Sequence, residues 1–191
     1  MVIILSDRKN KTENEILEIL SKYGANYFSD RKIQIKNNLF TVISIYKKSE
    51  IDTTNGIVII LDKGYRFKEQ KLPLGIIGIY EETNKTACEI FKRNNNAIIS
   101  CGSNNKNTIT VSSIGKNTIL LNIQRVLTDI NGKPIFPCEL KIKLQNKYSP
   151  FSIMASTAVL LNHGIIPDVF WIKIPKIAIL FLKVGYFCKK K

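Results

Sequence analysis

Glu81 and Asn84 follow an apolar run, Ile76-Ile77-Gly78-Ile79-Tyr80, and Ser103, Asn104, Lys106 and Thr108 follow a second, Ala97-Ile98-Ile99-Ser100-Cys101. Both runs read as buried strands of a parallel sheet, whose C-terminal ends are where α/β proteins gather ligand-facing groups. The rim they form offers backbone amides, hydroxyls and a lysine, donors suited to a phosphate or carboxylate. The same residues would also serve as a solvated polar turn. Cys101 sits at the end of the second run. Amides or Lys106 could ionise its thiol, but no base is in view, which favours an inert buried cysteine. Asp62 closes a further apolar run, Ile57 to Leu61. It reads either as a ligand-facing acid or, preferably, as a turn acid bonding its own backbone.

Other chemistries find no residues. Cys88, Cys101, Cys138 and Cys188 form no CxxC pair, so metal-ligand spacing is absent. His163 is the one histidine, which argues against a histidine metal site or a His-dependent triad. It falls in the last turn of a helix, where it is expected to neutralise the terminal carbonyls. The turn Ser6 to Lys11 contains no glycine, so neither a phosphate loop nor a dinucleotide fingerprint is present there. No metal and no cofactor is expected, and the balance points away from an enzyme.

The chain has 191 residues, 45% of them hydrophobic, with 29 basic and 15 acidic side chains and a net charge of +14. That charge attracts polyanions: nucleic acid, anionic lipid or a phosphorylated ligand. The lysines are scattered, so nucleic acid is not the favoured partner. Asp7, Arg8 and Lys9 follow a short apolar start, so no signal peptide is expected there. Separated cysteines without a secretion signal suggest reduced thiols and a cytoplasmic location. Residues 169–191 form a basic, apolar segment ending in Lys189-Lys190-Lys191. Its apolar run is well short of the ~20 residues of a transmembrane span. It reads as a final element of the core, or else as a membrane-surface segment.

The positioning elements follow in order. Val2 to Leu5 is a buried strand. A helix capped by Thr12, with Glu15 as capping-box partner, runs to Gly24. Tyr27-Phe28, Ile33 to Ile35, Phe40 to Tyr46 and Ile57 to Leu61 read as further strands. Residues 75–102 form a strand–helix–strand unit whose helix starts at Thr83 or Asn84. After Gly102 the pattern alternates. Residues around 109–113, a long strand Thr118 to Thr128, an Asn131-Gly132 hairpin and a strand Ile135 to Leu144 make an antiparallel meander. Ser149-Pro150 begins a helix through Leu161, stopped by Gly164. The expected architecture is α/β: a parallel sheet flanked by helices, with an appended antiparallel three-stranded meander. One domain is expected over 1–168, comprising a parallel βα region over 1–102, the meander 103–148 and the helix 149–164.

Over residues 57–168 this order resembles the central domain of Mur ligases. Glu81-Glu82-Thr83-Asn84 stands where that family carries a nucleotide-dependent Asn/Asp motif. Ile98 to Gly102 matches its strand running into a glycine. Tyr148 to Ala155 stands at its Gly-His-Asn and Asn-Ala-Ala helix, with Ala155 and the helix pattern retained. The family's Gly-Lys-Thr phosphate loop, which meets the charge of ATP and Mg²⁺, has no counterpart. Gly115-Lys116-Asn117-Thr118 joins two antiparallel strands and lacks the helix start that such a loop needs. The family's substrate-binding and C-terminal domains are not expected within 191 residues. The resemblance implies a scaffold without ligase chemistry, binding a protein partner or a small anionic ligand through Glu81, Asn84, Ser103, Asn104, Lys106 and Thr108. The alternatives are a polyanion or membrane-surface binder using 169–191, and a ligase-related enzyme of unknown substrate.

Overall fold

The structure is a computed structural model. It describes residues 1–173 except 9, 37, 38, 65, 145 and 168, and for 169–173 the backbone alone. Its elements are β1 (Val2–Leu5), α1 (Lys11–Lys22), β2 (Ala25–Phe28), β3 (Ile33–Gln34), β4 (Phe40–Ile45), β5 (Gly56–Ile60), β6 (Ile76–Glu81), α2 (Lys85–Arg93), β7 (Ala97–Gly102), β8 (Ile109–Ile114), β9 (Thr118–Ile123), β10 (Leu127–Thr128), β11 (Pro134–Ile135), β12 (Cys138–Lys143), α3 (Pro150–Asn162) and β13 (Val169–Lys173).

Among the described residues eleven strands form one sheet in the order β13-β12-β9-β8-β7-β6-β5-β1-β4-β2-β3, and β10 and β11 pair separately. From β8 to β2 every neighbouring pair is parallel. β9, β12 and β13 continue the sheet antiparallel, and β3 turns back along the opposite edge. The expected parallel sheet and meander are therefore one continuous surface, because β8 pairs parallel with β7 through Cys101↔Ile109 and Gly102↔Thr110.

The central strands are apolar throughout because both faces are covered. Val2 and Ile4 point to one core while Ile3 and Leu5 point to the other. In β5, Ile57 and Ile59 likewise oppose Val58 and Ile60. Helices α1 and α3 cover the first face, with Ile16, Leu20, Met154 and Val159 buried there. Helix α2 covers the second, through Ala87, Ile90 and Phe91. Residues Phe151–Asn162 of α3 are buried all round. Its polar residues in that stretch are Ser152, Ser156, Thr157 and Asn162, and the rest are apolar, as a helix buried all round requires.

Gly78 lies in β6 directly beneath Phe91. A Cβ at position 78 would run into the Phe91 ring, at Cδ1, Cε1 and Cγ. Gly78→Ala is expected to cost about 1–3 kcal/mol through overpacking. Urea denaturation is the check, and an unchanged midpoint would contradict this packing.

Several sequence expectations need correction. Asn10, not Thr12, caps α1: its side chain accepts the Glu13 N–H at 2.9 Å, and Thr12 lies inside the helix. Glu15 is thereby released from the expected capping box and bonds elsewhere. The long strand 118–128 is two strands, since β9 ends at Ile123 and β10 pairs across the Asn131-Gly132 turn with β11. The strand expected over 135–144 is the shorter β12, and Ile35 falls outside β3. His163 meets a terminal carbonyl of α3, as expected, through a hydrogen bond. Its Nδ1 lies 2.8 Å from the Val159 carbonyl, and its ring stacks on Phe40 at 4.6 Å. Burial lowers its basicity, against the opposing pull of the Val159 bond. Of the segment 169–191, residues 169–173 form β13, paired with β12. Residues 174–191 lie outside the described residues.

Candidate functional site

At the C-terminal ends of the parallel strands lies a cavity of about 590 Å³. Asn10, Asn84 and Ser149, the N-caps of α1, α2 and α3, all line it. Their convergence follows from the topology: in a parallel sheet each strand end hands the chain to a helix start on the same edge. Helix starts carry backbone N–H groups without intrahelical acceptors and a partial positive charge. The wall is apolar, formed by Ile60, Leu61, Val111, Ile114, Phe151 and Met154. Ile114 is 64% exposed. The rim is polar, with Thr12, Lys63, Glu81, Glu82, Thr83 and Ser103.

Lys63 is the cation of this rim. Its Nζ contacts Glu81 Oε2 at 2.7 Å and donates to Thr83 Oγ1 at 3.2 Å. An ammonium has three donor hydrogens, so one remains for a ligand.

Two further carboxylates are committed to the protein's own donors. Glu15 Oε2 accepts from the Ser149 N–H and the Ser152 hydroxyl, each at 2.8 Å. Burial raises its pKa, but the bonds from Ser149 and Ser152 and the Lys11 charge outweigh that and leave it lowered. Glu82 grips the turn after β7. Its Oε1 accepts from the Ser103 N–H and hydroxyl, both at 3.0 Å. Its Oε2 accepts from the Asn104 N–H at 3.4 Å and from the Asn107 side-chain amide. The Ser103 and Asn107 bonds hold Glu82 below the usual carboxylate range. The Glu82 carboxylate packs over Gly102, in the space a Cβ there would take.

The structure brings Glu81, Asn84 and Ser103 to the cavity, while Asn104, Lys106 and Thr108 do not line it. Asn84 is consumed structurally: Oδ1 accepts the Ala87 N–H at 3.0 Å, and Nδ2 donates to the Ile60 and Asp62 carbonyls at 3.2 and 3.0 Å. Asn104 Oδ1 accepts the Lys106 N–H at 2.9 Å. Lys106 is exposed, and its carbonyl accepts from Arg125 at 2.8 Å. Thr108 is buried, bonded to Ser100 through its backbone N–H at 3.0 and 3.1 Å. Asp62 makes a turn bond, accepting the Gly64 N–H at 2.8 Å. Cys101 is fully buried, and burial, followed by the Glu81 charge, drives its thiol pKa far upward. Cys101 does not line the cavity. Among the described residues no group of three or more His, Cys, Asp or Glu side chains could hold a metal. No helix among them is long and apolar enough to cross a membrane.

Sequence reasoning did not find Lys63, Glu82 in its bonded role, or the apolar wall. Lys63 sits in a polar loop with no motif around it. Glu82 meets its partners more than twenty residues along the chain, where no periodicity signals the contact.

No protein-family model matches the chain, and no curated protein matches it. Solved structures do. The murein peptide ligase Mpl from Psychrobacter arcticus aligns at TM-score 0.52 and 9% identity, over 90% of this chain and 47% of that one. E. coli FolC in complex with DHPP and ADP aligns at TM-score 0.52 and 9% identity, over 94% of this chain and 55% of that one. The fold is Mur-ligase-like. The chain spans about half the length of these structures. Against that Mur-ligase-like frame, Gly115 to Thr118 joins β8 to β9, which pair antiparallel through Ile114↔Ile119. The turn from β1 into α1 is closed by side chains, Asn10 Nδ2 donating to Ser6 Oγ at 2.9 Å and Ser6 Oγ to the Arg8 carbonyl at 2.6 Å.

Proposed function

We propose that this is a non-catalytic Mur-ligase-like protein that binds a small anionic ligand in the cavity at the strand ends. The observation that carries the reading is the cavity itself. About 590 Å³ of space faces the N-terminus of α1, the Lys63 ammonium and an apolar wall. This suits a ligand with an anionic group at Lys63 and an apolar or planar body against Val111, Ile114, Phe151 and Met154.

The absence of catalysis is inferred from where the donors go. The Ser149 amide, which a phosphate chain could use, is taken by Glu15. The β1–α1 turn has no glycine whose backbone could approach a triphosphate closely. Nucleoside triphosphate incubated with the protein is expected to remain uncleaved.

Thermal-shift measurements with phosphate, ADP, ATP and UDP-sugars test the reading. At least one anion is expected to raise the midpoint in a concentration-dependent way. Lys63→Ala is expected to weaken that binding about tenfold, the equivalent of one charge-assisted hydrogen bond. No shift with any anion, or a shift untouched by Lys63→Ala, would overturn the reading.

A further inference from the structure

The turn over residues 102–107 is built as a receptor for a carboxylate, and the carboxylate in it is the protein's own. Four donors converge on Glu82: the Ser103 N–H and hydroxyl on one oxygen, the Asn104 N–H and Asn107 Nδ2 on the other. Successive backbone amides arranged in this way form an anion-binding concavity. Asn107 is itself buried and fixed by a second bond, Nδ2 to the Asn104 carbonyl at 3.0 Å. The Glu82 backbone is anchored independently, its N–H donating to the Cys101 carbonyl at 2.8 Å. The backbone at Glu82 is thus held by a bond that does not depend on its side chain. Gly102 supplies the floor, the place where any side chain would fill the space that the carboxylate occupies. Glu82, Gly102 and Ser103 all line the cavity.

We propose that the 102–107 turn, which borders this cavity at Gly102 and Ser103, is an oxyanion subsite, that Glu82 occupies it as a built-in competitor, and that a carboxylate or phosphate oxygen takes the same donors when Glu82 withdraws. This rests on the reading of the cavity as an anion site and adds to it where the anion goes and what holds it out. Ligand affinity is then set by competition: the bound oxyanion replaces one carboxylate with another group of the same charge and geometry, so the donors are never left bare.

The test uses the full chain with Glu82→Ala and the near-isosteric Glu82→Gln, which keeps an acceptor for Ser103 and guards against loss of folding. Acetate and inorganic phosphate are titrated at constant ionic strength, with backbone amide resonances of Ser103 and Asn104 followed by NMR. In Glu82→Ala both resonances are expected to shift saturably with acetate or phosphate, at concentrations that leave the wild-type resonances in place. Glu82→Gln is expected to respond between the two. Absence of any shift in both variants would overturn the proposal, as would a wild type that responds as strongly as Glu82→Ala. A cavity ligand that depends on Lys63 yet leaves the Ser103 and Asn104 resonances unmoved in Glu82→Ala would overturn this subsite alone. A Glu82→Ala response without any Lys63-dependent ligand in the wild type would support the subsite while removing the cavity reading.

Discussion

Phe91→Ala is expected to destabilise the protein by about 3–5 kcal/mol, the largest effect expected of the substitutions proposed for this chain. Phe91 is fully buried on α2 and belongs to the smaller of the two cores, with Ile3, Leu5, Val58, Ile60 and Ile90. Its ring lies against Gly78 on the sheet, with Tyr80 at a centroid distance of 6.3 Å. On α2 the other buried side chains are Ala87 and Ile90, so the ring is the largest group through which the helix meets the strands. A denaturation midpoint that falls while the slope stays constant would report lost stability without a change in cooperativity. Phe91→Leu keeps most of the volume and is expected to cost less than about 1.5 kcal/mol. The pairing with Gly78 supplies a sharper check. Gly78→Ala is costly only because the ring is there, so in the Phe91→Ala background it should add nothing, a coupling that a double-mutant cycle measures. Additive costs would mean that the two positions do not touch.

The second large effect is expected at Glu15. Glu15→Ala should cost about 2–4 kcal/mol, because it strips a buried, charged acceptor from the Ser149 N–H and the Ser152 hydroxyl. These two bonds join α1 to the start of α3, the helix that carries Phe151 and Met154 into the cavity wall. Hydrogen exchange should therefore accelerate at the first turn of α3 more than at its end. The pH dependence has a definite sign. The folded-state pKa of Glu15 is lowered, so its stabilisation is fully present above the ordinary carboxylate range and is lost as pH falls through the folded value. Glu15→Gln should show a shallower loss of stability on acidification than the wild type. An acid limb identical in the two proteins would contradict the assignment.

How much of this was legible beforehand depends on how local the signal is. Val2–Leu5 and Gly56–Ile60 are doubly covered strands, and an unbroken apolar run says so directly. Ser149-Pro150 marked the start of α3, and Asn84, one of two neighbouring candidates, caps α2. Thr12 misled because its three-residue spacing to Glu15 imitates a capping box. Asn10, two residues earlier, reaches the Glu13 N–H first. The break after Ile123 was hidden because Val126 and Leu127 continue the apolar count, although Val126 is 55% exposed. Of the six rim residues, Glu81, Asn84 and Ser103 line the cavity, and their place just past two apolar runs is what puts them at strand ends. Their individual roles could not be read. Asn84 is spent on the Ile60 and Asp62 carbonyls, and Ser103 on a glutamate in a different loop. Contacts between the ends of separate strands depend on register and strand order, which leave no trace in local spacing.

The claim on which the functional account stands is that the cavity takes an anion through Lys63 and does no chemistry on it. Calorimetric titration of ADP, a UDP-sugar and inorganic pyrophosphate into the wild type and into Lys63→Ala tests it most directly. Saturable binding of at least one of them to the wild type is expected, weakened about tenfold in Lys63→Ala. Silence from all three, or equal affinity in the two proteins, would contradict it.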